Sequence, residues 1–133
     1  MTTYIKQYDS YSCGPIAYLN ILNHFGASFK TCDLPKYRKL LKTNKEYGTS
    51  TTSIFKALRS SNFRVSRRRF NYEADKVYLA CYISDSKGVM HYIVVAAGEA
   101  INFHHYNEDK VYTRYKLPKR WIESRIRRDT IYL

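Results

Sequence analysis

Cysteine is scarce in this chain of 133 residues: Cys13, Cys32 and Cys81, an odd count with no Cys-x2-Cys pair. That pattern suggests neither a disulfide framework nor a zinc ribbon, so reduced thiols in a reducing compartment are expected. Glycine is scarce too. The five glycines form no phosphate loop and no dinucleotide fingerprint. His104 and His105 are adjacent and would face opposite ways on a strand, so they make no chelating pair. Neither metal nor cofactor is expected. No apolar run approaches the roughly 20 residues of a membrane span. The opening MTTYIKQYDS lacks the apolar core of a signal peptide, which makes a cytoplasmic location the expectation. No repeat, low-complexity tract or linker divides the chain, and a single domain over residues 1–133 is expected.

Acidic side chains are the other shortage. Eleven Asp and Glu stand against 23 Lys and Arg, a formal net charge of +12. Charge of that size favours acidic partners: nucleic acid, an anionic surface or an acidic protein. A coding sequence rich in A and T, reflected in 14 tyrosines and many lysines, accounts for it equally well. Nucleic-acid binding is therefore not the favoured reading.

What the chain does have is a hydrophobic content of 44% and one organised stretch, QYDSYSCGPIAYLNILNHFG, from Gln7 to Gly26. It reads as a polar loop running into a buried helix from about Cys13 to Phe25. Ser12 is the expected N-cap. Pro15 suits the first turn, and Gly26 suits a left-handed stop. Cys13 at the helix start faces unpaired N–H groups and the positive end of the helix dipole, a setting that lowers a thiol pKa. Gly14 leaves room beside the sulfur. Gln7, six residues earlier, can fold back so that its amide and the Cys13 N–H donate to a developing oxyanion. A lone cysteine near a helix start is more often a small buried hydrophobe, so the reading rests on the whole pattern.

Further along, Asp33 is placed to cap a second helix carrying Leu34, Tyr37, Leu40 and Leu41 inward. Lys36, Arg38, Lys39 and Lys42 form its solvated face. Gly48-Thr49-Ser50 reads as a turn, with Ser50 or Thr51 capping a third helix that reaches about Ser60. Phe63 to Phe70 alternates as an edge strand, and its Arg64, Arg67, Arg68 and Arg69 form the densest basic cluster. An antiparallel meander follows: Val77–Ile83, a hairpin over Asp85–Gly88, Val89–Ala97, a turn at Gly98-Glu99, Ala100–Tyr106, a turn over Asn107–Asp109, and Lys110–Lys116. Pro118 breaks the meander, and Trp121 packs at its end. The tail adds a short strand through Thr130, Ile131 and Tyr132. The fold class is α+β, with helices packed on a C-terminal antiparallel sheet.

That packing brings a histidine to the Cys13 helix start. His24 is excluded, because it lies at the far end of the same helix, roughly 16 Å away at 1.5 Å per residue. Position alone leaves His91, His104 and His105.

Gln-x5-Cys-Gly-Pro-x-Ala, followed by an apolar helix ending in Phe-Gly, resembles the papain-like cysteine peptidases. The likeness is greatest to the C39-type branch, which includes the peptidase domains of bacteriocin-exporting transporters. Gly48-Thr-Ser-Thr-Thr-Ser-Ile-Phe-Lys-Ala-Leu-Arg59 resembles that family's Gly-Thr-Ser turn and helix. His91-Tyr-Ile-Val-Val95 resembles its histidine strand. The resemblance spans roughly Gln7 to Trp121. It implies a papain-like fold and a cysteine peptidase with Cys13 as nucleophile, His91 as base and Gln7 in the oxyanion hole. It also implies an Asp or Asn after the histidine, commonly in an Asp-Pro that this sequence lacks. Asn102 takes that place as the imidazole's partner, although the hairpin register needs a stagger or bulge to bring it there. His104 and Asn107 are the alternatives.

The expected reaction is hydrolysis of a peptide or isopeptide bond in an extended polypeptide, acidic in keeping with the charge. Amidase or transpeptidase chemistry would use the same residues. A relict domain that binds nucleic acid or an acidic protein through its arginines is the reading from another class.

Overall fold

The computed structural model describes residues 2–83, 90–105, 110–126 and 129–133. In chain order the elements are α1 (Cys13–His24), a 3-10 turn (Thr31–Asp33), α2 (Leu34–Leu40), α3 (Thr51–Ser60), β1 (Ser66–Arg69), β2 (Val77–Ile83), β3 (Met90–Ala96), β4 (Glu99–His105), β5 (Lys110–Lys116), α4 (Lys119–Arg125) and β6 (Asp129–Tyr132). The six strands form one sheet in the order β1-β6-β2-β3-β4-β5, and every pair is antiparallel. The hairpin connections expected at 85–88 and 107–109 lie outside the described residues.

α1 is the central helix because it is apolar on most sides. Ile16, Leu19 and Ile21 are buried against Leu79, Val94 and Ile101 on one face of the sheet. The other face holds a second core of Tyr78, Tyr82, Ile93, Val95 and Phe103. α4 closes this second core through Ile122, with Trp121 edge-on to Tyr82 at 5.3 Å. α4 was not expected. Trp121 and Ile122 are the only large apolar residues in its seven, too few for a periodic signal.

Local sequence explains the ends of α1. Gly26 has φ +109°, Ala27 N–H donates to Leu22 O at 3.0 Å, and Gly26 N–H donates to Asn23 O at 3.1 Å. That is the double-bonded left-handed stop for which glycine is suited. At the start, Ser12 occupies the N-cap position, but its hydroxyl does not cap. It donates to Asp9 Oδ2 at 2.6 Å instead. Asp9 does the ordering: its Oδ1 accepts from Tyr11 N–H (3.0 Å) and Ser12 N–H (2.7 Å). Likewise Asp33 does not cap α2. Its carboxylate turns back to the Lys30 N–H. Ser50 does cap α3, accepting from Ser53 N–H at 3.1 Å.

The β3–β4 turn is Ala97-Gly98, both with positive φ, and Ala96 pairs with Glu99. The expected turn at Gly98-Glu99 is thus displaced by one residue. β1 is shorter than the expected strand and lies at the sheet edge. No helix among the described residues is long and apolar enough to cross a membrane.

The N-terminal segment is held along α1 by two buried asparagines. Asn20 Oδ1 accepts from Ile5 N–H at 2.7 Å, and its Nδ2 donates to Ile5 O at 3.0 Å. Asn23 holds Thr3 and Phe29 in the same way. Asn20 is 0% exposed, so water cannot replace these bonds. Asn20→Leu is expected to lower stability by about 2–3 kcal/mol in urea unfolding, because two main-chain groups of Ile5 lose their partner.

Candidate active site

Cys13 opens α1 and is 8% exposed. The loop before it is fixed by Asp9, which α2 holds in turn: Arg38 Nη2 reaches Asp9 Oδ2 at 2.9 Å, and Arg38 Nε donates to Ser12 Oγ at 2.7 Å. The sequence predicts Arg38 on a solvated face; its bonds to Asp9 and Ser12 place it at the site instead. Gly14 is required for a different reason than expected. A Cβ there would lie 2.5 Å from Thr49 Cβ, so Gly14 makes room for the turn before α3.

Gln7 is buried beneath this loop. Its Nε2 donates to Asp9 O at 2.8 Å, and its second amide hydrogen has no acceptor among the described residues. Asn102 grips it twice: Asn102 Oδ1 accepts from Gln7 N–H at 2.9 Å, and Asn102 Nδ2 donates to Gln7 Oε1 at 3.2 Å.

The other side of Asn102 faces His91. The β3–β4 pairing runs from Ala96↔Glu99 to Val94↔Ile101. One more step would set Asn102 opposite Ile93. Instead Asn102 takes φ +62°, a left-handed conformation that asparagine tolerates better than most residues. Its carbonyl lies 2.6 Å from His91 Nε2. A carbonyl only accepts, so Nε2 carries the proton and Nδ1 presents a lone pair. The side chain expected to orient the imidazole therefore orients Gln7, and the main chain orients the imidazole.

The structure thus joins Gln7, Asn102 and His91 in one hydrogen-bonded chain and brings Cys13 against the strand that carries His91. The N–H of Tyr92, next to His91, faces the Cys13 sulfur, as do the N–H groups of Gly14 and Cys13 itself. Among the described residues no hydrogen bond joins the Cys13 and His91 side chains. His104 packs edge-on to His91 at 6.4 Å, and its main chain is bonded to the Tyr82 hydroxyl. Asn107 lies outside the described residues.

Burial governs the charges. It pushes the Cys13 thiol pKa up, more than the three N–H groups lower it, and the Asp9 charge adds to the rise. The lowering expected from the helix start is thereby reversed. Burial also pulls His91 down to about 4; the Asn102 bond opposes this and His104 adds to it. At neutral pH the free site holds a thiol and a neutral imidazole, not an ion pair.

A cavity of about 520 Å³ opens at Cys13, walled by Tyr11, Tyr47, Thr49, Cys81, Met90 and Tyr92. Among the described residues no group of three or more His, Cys, Asp or Glu can hold a metal ion. On β1, Arg67 donates to Thr52 Oγ1, and Arg68 pairs with Glu73 and stacks over the Tyr132 ring at 3.9 Å.

The sequence profile of the Peptidase C39 family matches residues 1–108. Among curated proteins none matches the chain. A crystal structure of a double glycine motif protease from an AMS/PCAT transporter, in complex with the leader peptide, superposes with a TM-score of 0.67. It is 14% identical, over 99% of this chain and 91% of that one. At that identity the likeness shows the fold.

The charge state can be checked by alkylation. Because the thiolate is the reacting form and burial disfavours it, Cys13 alkylation by iodoacetamide in the free protein should rise about tenfold per pH unit from pH 6 to 9. Peptide mass spectrometry reads this, with exposed Cys32 as the reference for reagent access. A plateau beginning below pH 7 would mean a preformed ion pair.

Proposed function

The chain belongs to the Peptidase C39 family of cysteine peptidases, and on that premise we propose that Cys13 is its nucleophile, His91 its acid and base, and Gln7 its oxyanion donor. The observation that carries this reading is the His91 Nε2–Asn102 O bond, which leaves Nδ1 as the basic nitrogen. With both groups neutral at rest, proton transfer accompanies attack rather than preceding it.

His91 Nδ1 takes the thiol proton as Cys13 Sγ bonds to the scissile carbonyl carbon. The carbonyl oxygen becomes an oxyanion and accepts from Gln7 Nε2 and the Cys13 N–H. The imidazolium then gives its Nδ1 proton to the amide nitrogen, the C–N bond breaks, and an acyl thioester remains. Water, deprotonated by His91, attacks the thioester. The carboxylic acid leaves, and the thiol regains its proton. Asn102 touches no reacting atom in this scheme; it positions the base with its carbonyl and the oxyanion donor with its amide.

The substrate in this reading is an extended polypeptide. The superposing protease is described as a double glycine motif protease in complex with a leader peptide, so a peptide with Gly-Gly before the cut is the first to test. The second reading, a polyanion-binding domain that does no catalysis, rests on the net charge of +12. The bonds of Arg67 and Arg68 to Thr52, Glu73 and Tyr132 weigh against it, because they occupy part of the arginine cluster.

An internally quenched peptide with a central Gly-Gly tests the assignment. Cys13→Ala should abolish cleavage, and Gln7→Ala should lower kcat about 100- to 1000-fold with a small change in KM. Cleavage that survives Cys13→Ala would remove the proposed nucleophile.

A further inference from the structure

Tyr92 has no part in the scheme above, yet it connects the nucleophile to one wall of the cleft. It lies on β3 beside His91, and its N–H faces Cys13 Sγ. Its ring lines the cavity and its hydroxyl reaches the start of α3. There the Tyr92 hydroxyl donates to Thr49 O at 3.0 Å. Since that proton is used, the 2.7 Å contact with Thr51 Oγ1 is a bond from Thr51 to the Tyr92 oxygen. The chain leaving the small 44–48 loop is thereby fixed at Thr49 and Thr51.

The loop has support of its own. Asn44 and Gly48 exchange main-chain bonds of 2.8 and 2.7 Å, and the Thr43 and Thr49 hydroxyls meet at 2.8 Å. It raises Lys45, Glu46 and Tyr47 over the cavity, with Tyr47 83% exposed at the tip. A tyrosine hydroxyl in this partly buried place holds its proton, since burial raises its pKa to about 12. The Thr49–Tyr92 link does not loosen with pH across the neutral range.

We propose that Tyr92 is a positioning residue for substrate selection: its hydroxyl holds the 43–51 segment as the wall against which the acyl part of the polypeptide lies. This rests on the peptidase reading. It assigns the wall one job, binding the acyl segment, and Tyr92 one job, fixing that wall at a set distance from the sulfur. Tyr92→Phe keeps the ring, the strand and the N–H on Cys13. It removes only the two bonds to the wall.

The test compares two alkylating agents on Cys13, each rate divided by its rate with N-acetylcysteine. One is iodoacetamide, which needs no wall. The other is an acetyl-tetrapeptidyl chloromethyl ketone ending in Gly-Gly, whose peptide occupies the acyl side. In the native sequence the peptidyl reagent should be preferred. In Tyr92→Phe that preference should fall about fivefold to tenfold, the size expected for loss of a buried hydroxyl's bonds. Because the readout is a ratio, a general loss of Cys13 reactivity cancels. A preference unaltered in Tyr92→Phe overturns this proposal and leaves the peptidase reading standing. No preference in the native sequence overturns this proposal as well, and the Cys13→Ala cleavage assay then decides the peptidase reading separately. If Tyr92→Phe does not fold, Thr51→Val removes one of the two bonds from the other side and should lower the ratio in the same direction by a smaller factor, about twofold to threefold; an unaltered ratio there overturns the proposal equally.

Discussion

Asn102 holds the two halves of the site in register. Gln7 comes from an N-terminal segment and His91 from a strand more than 80 residues later, and among the described residues no direct bond joins them. The asparagine between them bonds to both: its side-chain amide nitrogen and oxygen to Gln7, its main-chain carbonyl to His91. Its left-handed backbone makes this possible. An extended residue would turn its carbonyl along the β3–β4 ladder, where the register calls for a pairing with Ile93. Departure from the ladder at this one residue frees the carbonyl for the imidazole.

The same burial that makes these bonds firm keeps the site uncharged. A carboxylate beside the imidazole would stabilise an imidazolium; a main-chain carbonyl does so more weakly. His91 is thus pulled to about 4 and Cys13 is pushed up, even at a helix N-terminus. The helix field is a modest effect, and desolvation of a thiol 8% exposed outweighs it. In the reaction we propose, charge separation is then deferred to the moment of attack, when the oxyanion meets donors already in place.

Much of this was legible in the sequence where the signal is local. The span of α1, its Gly26 stop, the Ser50 cap and the antiparallel meander follow from periodicity and turn chemistry. The resemblance to the C39 peptidases identified the fold. Contacts between distant segments were not legible. Asn20 and Asn23 sit in an apolar helix like errors in a pattern; the N-terminal segment lying alongside and, for Asn23, the main chain of Phe29 explain them. Arg38 looked like one more solvated cation until α2 set it against Asp9. Asn102 was identified as a partner of the histidine, but its side chain and main chain exchanged roles. No sequence pattern announces a positive φ inside a strand. α4 was missed because two apolar residues in seven give no period.

The most direct measurement is ¹⁵N NMR of the histidine side chains, with His91 assigned by His91→Gln, followed from pH 8 to pH 5. The account predicts that His91 is a neutral imidazole protonated at Nε2 throughout this range. Imidazolium shifts at pH 7, or a neutral ring protonated at Nδ1, would contradict it.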